Sequence, residues 1–257
     1  MAASPRMNLD VSVAALADQM DECGVVCLQD ILSTDMLEAA RASVLNDIAV
    51  HGERDFLLLD PGEEENDPAH DVVNDPRLLA LCEGLTAARC PQANRNGQRF
   101  QTTLRVLSGD ERIETPMLFH YDACVVTIVV PIFIPDAGFG RSGELFAIKN
   151  HRPFRRHLST HIVDKLATHN GPYRKRTVRR VLRQPHTYRV DLRPGNAYIF
   201  WGYRTFHGTL PCAPGELRAT LILNYAEPHQ DSRMLRLARY FSPARREVRR
   251  MQVIASG

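Results

Sequence analysis

The run from Val125 to Ile134 (VVTIVVPIFI) constrains the fold of this chain more than any other stretch. It is apolar at odd and even positions alike. A strand alternates its side chains between two faces, so both faces of this one are expected to be covered, by a packed interior on one side and by helices on the other. Pro131 within it points to an edge or a bulge, because proline cannot donate to a ladder. Further short β-rich segments follow it, GELFAI, TYRVDL, NAYIFWG and LRATLILNY, the later ones separated by the turns Pro194-Gly195 and Pro214-Gly215. That punctuation belongs to a β core. FQTTLRVLSG precedes them as a strand ending at Ser108-Gly109, and IETPMLFH leads into the central run.

Upstream the periodicity is helical. A first helix is expected from an Asp10 cap, with Val13, Leu16 and Met20 on one face and Gly24 at its end, followed by a short strand, VVCLQ. A second helix starts near Ser33, carries Leu37, Ala40, Val44 and Ile48, and stops before Gly52. Arg54 to Asp75, with its acidic run PGEEENDP, reads as a long surface loop. Asp75 and Pro76 then open a helix with Leu78, Leu79, Cys82 and Leu85. The basic tail from Ser232 to Arg250 reads as a further helix on the outside of the core. Together these give one domain of 257 residues. Residues 1–98 form a helical scaffold, 99–227 a mainly β core and 228–257 a C-terminal helix.

Charge and cysteine usage narrow the function. The 32 basic and 30 acidic residues nearly cancel, so the global charge favours neither nucleic acid nor a membrane surface. No apolar run reaches the roughly 18 residues needed to span a bilayer, and MAASPRMNLD lacks the pattern of a secretory signal, which fits a cytoplasmic protein. Six cysteines without a CxxC pair fit reduced thiols. The exception to the balance is local. Between residues 150 and 180 His and Arg dominate, among them Arg152, Arg155, Arg156, His157, His161 and His169, with Asp164 the only acid. A solvated insertion with a helix around 158–166 accounts for this segment. A basic lid over an anionic small-molecule substrate accounts for it as well.

At the mouth of the central run stand His120 and Asp122, two metal-competent side chains that a strand would place on one face. His207, in FWGYRTFHGTLP, supplies a third. Two histidines and one carboxylate form the facial set that suits a non-haem iron(II) and leaves positions open for a chelating cosubstrate and O2, although zinc accepts the same ligands. Arg218 lies eleven residues beyond His207, within reach as an antiparallel neighbour. Its planar fork suits the carboxylate of a diacid such as 2-oxoglutarate, with Thr209 and Thr220 placed to add hydroxyls.

These residues carry a resemblance. His120-Tyr121-Asp122, the GELFAIKNHR segment, the Pro-Gly-Asn-Ala-Tyr-Ile-Phe strand, His207 and Arg218 together resemble the phytanoyl-CoA dioxygenase-like (PhyH) branch of the Fe(II)/2-oxoglutarate-dependent oxygenases. The likeness covers roughly residues 99 to 227. It implies a double-stranded β-helix, a jelly-roll or cupin-like barrel, with iron held by His120, Asp122 and His207 and 2-oxoglutarate by Arg218. Gln101 and Thr127 match places where relatives touch the cosubstrate. The implied reaction is hydroxylation of an unactivated C–H bond of a small metabolite or natural-product intermediate, releasing succinate and CO2. A carboxylate at Asp122 favours that outcome over halogenation. The chain departs from the family at Lys149-Asn150-His151, where relatives carry a Gly-Ser-His stretch, and in the basic segment beyond. A metal-binding barrel acting as a sensor, or a zinc-dependent hydrolase or isomerase, are the other functions these ligands allow.

Overall fold

The structure, a computed structural model, describes residues 7, 9–93, 98–109, 119–154 and 171–228. The helices are α1 (Val13–Cys23), α2 (Thr34–His51), α3 (His70–Val73), α4 (Pro76–Arg89), α5 (Gly171–Arg183) and α6 (Pro185–Tyr188). The strands are β1 (Val25–Leu28), β2 (Phe56–Leu59), β3 (Gln101–Leu107), β4 (Val126–Phe133), β5 (Leu145–Ile148), β6 (Arg189–Val190), β7 (Ala197–Trp201), β8 (Phe206–Thr209) and β9 (Arg218–Tyr225). They form two antiparallel sheets, one of six strands in the order β1-β7-β4-β9-β3-β2 and one of three in the order β6-β5-β8.

Local chemistry sets the helix ends. Ser33 Oγ accepts from the Met36 amide at 3.2 Å and Asp75 from the Arg77 amide at 2.7 Å, each satisfying an orphan donor of a first turn. Pro76 sits at the start of α4, where a missing N–H does no harm. Gly24 and Gly52 end α1 and α2 as expected, but the first helix starts two residues later than Asp10 suggests, with Ser12 at its N-cap.

Strand parity separates stability from chemistry. On one face of the large sheet Leu104, Val106, Ile128, Val130, Ile199, Leu221 and Leu223 are buried in a single cluster with residues of α1, α2 and α4, including Leu16, Met20, Met36, Val44, Leu78 and Leu85. Burying each such side chain is worth roughly 1.5–3 kcal/mol. The opposite face carries Gln101, Thr103 and Arg105 of β3, Arg218, Thr220 and Asn224 of β9, and Thr127 and Phe200, aligned across the sheet by the pairs Gln101↔Asn224, Arg105↔Thr220, Thr127↔Asn224 and Thr127↔Phe200. Against that face lies the small sheet, whose Leu145, Ala147 and Val190 pack on Tyr198. The far side of the small sheet, with Phe146 and Phe206, is covered by Val181 and Tyr188 of α5 and α6. In β3 Gln101, Thr103 and Arg105, which face the small sheet, are more exposed than Thr102, Leu104 and Val106 under the helices, while Leu107 at the Arg218 end is buried.

Several expectations change. The central run is a strand with a register shift between Pro131 and Phe133, hence a bulge, but it is an interior strand of the sheet and not an edge. Within the expected loop 54–75, Phe56–Leu59 pairs with β3 as the sheet's edge strand, and α3 follows the acidic run. The basic segment runs on into α5, which ends at Arg183. The expected helices at 158–166 and 232–250, with most of IETPMLFH, lie outside the described residues.

Candidate metal centre

His120 and Asp122 do not lie on a strand. His120 forms an isolated bridge with His207, exchanging backbone hydrogen bonds of 2.8 and 3.0 Å, and Asp122 follows in a loop whose amide donates to Gly202 O at 3.1 Å. The bridge ties this loop to β8, and the loop still brings both side chains to one point. His120 Nε2 lies 3.3 Å from Asp122 Oδ1 and His207 Nε2 lies 3.5 Å from Asp122 Oδ2. Donors about 2.1 Å from a common ion in cis positions lie about 3 Å apart, so these separations fit one metal. The three residues form the one cluster of potential ligands found among the described residues, with ligand atoms within 4.8 Å of one another.

The surroundings prepare each ligand. His207 Nδ1 faces Thr205 O at 3.2 Å, and the tautomer that donates there leaves the Nε2 lone pair for a metal. Burial, reinforced by His120, holds the His207 imidazole below its ordinary pKa despite Asp122, which favours the neutral ligand. Burial opposes ionisation of Asp122, but His207, His120 and a 2.5 Å hydrogen bond from Thr127 Oγ1 to Oδ2 outweigh it and hold the carboxyl at about 2. Gly202 makes this approach possible, since a Cβ there would stand 2.1 Å from Thr127 Oγ1 and 2.9 Å from Asp122 Oδ2.

Arg218 comes from β9 of the large sheet, whereas His207 lies on β8 of the small one, so the two residues belong to facing sheets and not to neighbouring strands. It is 2% exposed. One of its terminal nitrogens donates to Thr220 Oγ1 at 3.3 Å, and its buried Nε has no hydrogen-bond partner among the described residues. Burial and the neighbouring Arg105 push its pKa down to about 10, with Glu144 and Cys212 acting in the other direction. Burying a cation with a donor unanswered is costly, and an anion is the kind of partner that would offset the cost. Gly143 clears its path, because a Cβ there would lie 2.4 Å from Arg218 Cδ.

Of the remaining expected contacts, Thr220 stands beside Arg218, and Thr209 follows His207 two positions along β8. Thr127 lies against Asp122. Gln101 is exposed at the Asn224 end of the sheet and donates to Glu227 at 3.3 Å. Sequence reasoning passed over Arg105, although the alternation in QTTLRVL already puts it on the face of Gln101. Arg152, assigned to the basic lid, is 5% exposed and packs against Tyr121.

No protein-family model matches the chain, and no curated protein sequence matches it. Solved structures do. The non-haem α-ketoglutarate-dependent epimerase SnoN from nogalamycin biosynthesis is 16% identical with a TM-score of 0.56, over 84% of this chain and 83% of that one. The carbocyclase SnoK from the same biosynthesis is 15% identical with a TM-score of 0.55 over 88% of each chain. A Pseudomonas putida prolyl-4-hydroxylase is 15% identical with a TM-score of 0.50, over 84% of this chain and 99% of that one. At these identities the likeness is one of fold: a mainly antiparallel β architecture with helices, of the kind these oxygenases share.

Proposed function

We propose that the chain is an Fe(II)/2-oxoglutarate-dependent oxygenase of the PhyH-like type, its two sheets closing as a double-stranded β-helix. The observation that carries this reading is the pairing of the His120–Asp122–His207 cluster with a buried Arg218 whose Nε awaits a partner. A sensor module or a zinc hydrolase needs the first and has no use for the second. The names of structures sharing the fold, two α-ketoglutarate-dependent enzymes and a prolyl-4-hydroxylase, support the same reading.

His120, Asp122 and His207 would hold the iron, and Arg218 with Thr220 the distal carboxylate of 2-oxoglutarate. The bound metal and cosubstrate supply oxidation of an unactivated C–H bond with release of succinate and CO2. The chain's own residues prepare the site. Thr127 fixes the Asp122 carboxylate, Thr205 O fixes the His207 tautomer, and Phe200 packs edge-on to the His207 ring at 5.0 Å, keeping bulk water from that side. Asp122 occupies the carboxylate position, which supports hydroxylation over halogenation, and the basic run of residues 150–180 favours an anionic small metabolite or natural-product intermediate as substrate.

Anaerobic addition of Fe(II) and 2-oxoglutarate is expected to give the weak visible charge-transfer band of a chelated 2-oxo acid. Admission of O2 should then yield succinate. Asp122→Ala should lose both. Succinate formation by that variant at the wild-type rate would sink the assignment.

A further inference from the structure

Arg152 follows β5 in a run of basic residues, but it lies in the interior. Its guanidinium carbon sits 3.8 Å from the centre of the Tyr121 ring and 4.3 Å from that of Tyr203, so one planar cation is clasped by two rings. Its Nε donates to Tyr203 O at 2.6 Å. Each ring belongs to a segment that carries metal ligands. Tyr121 stands between His120 and Asp122, and Tyr203 lies in the turn that runs from Gly202, the acceptor of the Asp122 amide, toward His207.

The stack continues away from the site. The Phe154 ring lies 12° from parallel to Tyr203 at 6.3 Å, the Arg204 guanidinium lies 5.2 Å from Phe154, and Asp21 of α1 holds Arg204 at 2.6 Å. Arg152 and Arg204 are also joined by a main-chain bond, Arg152 N donating to Arg204 O at 3.3 Å, and by the Arg204 side chain, whose Nε donates to Arg152 O at 3.2 Å. A column of rings and guanidinium groups thus joins the loop bearing His120 and Asp122 to the helical layer.

We propose that Arg152 is a positioning residue for the metal site, its place between Tyr121 and Tyr203 setting how the His120–Asp122 loop stands relative to the strand of His207. The inference rests on the metal reading above. The loop lies outside any regular strand, and its backbone ties are the exchange with His207 and the bond to Gly202 O. Those bonds act at His120 and Asp122, and the clasp of Arg152 acts on the residue between them. Tyr121 stands between the two, so gripping its ring resists a rotation of the segment that would swing His120 and Asp122 away from His207. Only a flat, two-faced cation stacks on two rings at once, which a lysine ammonium cannot do.

Co(II) serves as an air-stable probe, its dissociation constant read from the visible d–d absorption of the full-length chain. Arg152→Lys, which keeps the charge and loses the plane, is expected to weaken Co(II) binding by about 10- to 100-fold, the range for removing groups that orient ligands. Its far-ultraviolet circular dichroism should stay that of the wild type. Tyr121→Leu removes the ring on the metal side alone and should weaken binding in the same range. If Arg152→Lys does not fold, that variant decides. Wild-type Co(II) affinity in a folded Arg152→Lys or Tyr121→Leu chain overturns the inference alone. A wild-type chain that takes up no Co(II) overturns the metal reading, and the inference with it.

Discussion

Gly143→Ala tests the anion clamp without touching a metal ligand. Gly143 holds φ at +66°, and a Cβ built there lies 2.4 Å from Arg218 Cδ and 2.9 Å from its Nε. Carbon atoms in contact need about 3.5–4.0 Å, so the Arg218 side chain must move by more than about 1 Å. A guanidinium displaced that far loses its paired hydrogen bonds to a carboxylate. Hydrogen bonds to charged groups are worth about 1.5–3 kcal/mol, which at 1.4 kcal/mol per tenfold is roughly a 10- to 150-fold rise in the dissociation constant for 2-oxoglutarate. An alanine forced to a positive φ adds about 1–2 kcal/mol of strain, a fall in melting temperature of roughly 2–8 °C for a chain of this size.

The assay is anaerobic titration of the Fe(II)-loaded chain, followed by the visible band. Pyruvate is the control, because it keeps the 2-oxo acid and lacks the distal carboxylate. Gly143→Ala should weaken 2-oxoglutarate and leave pyruvate near its wild-type affinity, with Co(II) binding unchanged. Wild-type affinity for 2-oxoglutarate in the folded variant, or equal losses for both acids, would refute the assignment of Arg218 as the clamp.

Thr127→Val removes the hydroxyl that donates to Asp122 Oδ2 at 2.5 Å and keeps the shape of the side chain. Co(II) affinity should fall by about tenfold; a loss confined to 2-oxoglutarate would instead make Thr127 a cosubstrate contact. Asp21→Asn addresses the ties of α1, since Asp21 binds Arg89 at 2.5 Å, Arg204 at 2.6 Å and Trp201 Nε1 at 3.0 Å. Burial raises the Asp21 pKa, but Arg89 and Arg204 outweigh it and the net shift is downward. A carboxyl lowered in the folded state stabilises above its unfolded value and loses that contribution as pH falls through its folded one. Urea unfolding should therefore show Asp21→Asn about 1 kcal/mol less stable at pH 7, allowing for solvent screening. The gap should narrow as the pH falls below the ordinary carboxylate range, and a gap that stays constant would contradict the ion-pair account.

The cluster of His120, Asp122 and His207 could be picked out in the sequence because metal chemistry restricts residue type so tightly, and few side chains can stand in for a histidine or a carboxylate there. Their placement could not. The spacing of His120 and Asp122 suits a strand, but the backbone bonds that decide the matter come from His207 and Gly202, eighty or more residues along the chain. Arg218 looked like a hairpin neighbour of His207, since Pro214-Gly215 marks a turn. That connection instead carries the chain from the small sheet to the large one, a choice made by which faces of β8 and β9 find apolar partners. Phe56–Leu59 is only four residues long beside an acidic run, and it is a strand because β3 offers it an edge. Arg152 was hidden by its company, as nothing in a run of surface-like cations marks the one that two tyrosines enclose.

These misplacements share a cause that bears on the site. In β3 and β9 one parity is apolar and serves the helical layer, while the other keeps threonines, Asn224, Gln101 and two arginines facing the small sheet. A face chosen only for stability would not retain buried guanidinium at Arg218, where desolvation works against the charge. Gly143 and Gly202 point the same way. Each gives up the side chain that would fill its gap, one for Arg218 and the other for the contact between Thr127 and Asp122. A glycine that admits a polar group weakens packing at that point, and it persists where the admitted group has a use. Gly143 gives room to Arg218 and Gly202 gives it beside the His120–Asp122–His207 cluster, the two places where the proposed cosubstrate would need it if one end met the metal and the other the guanidinium.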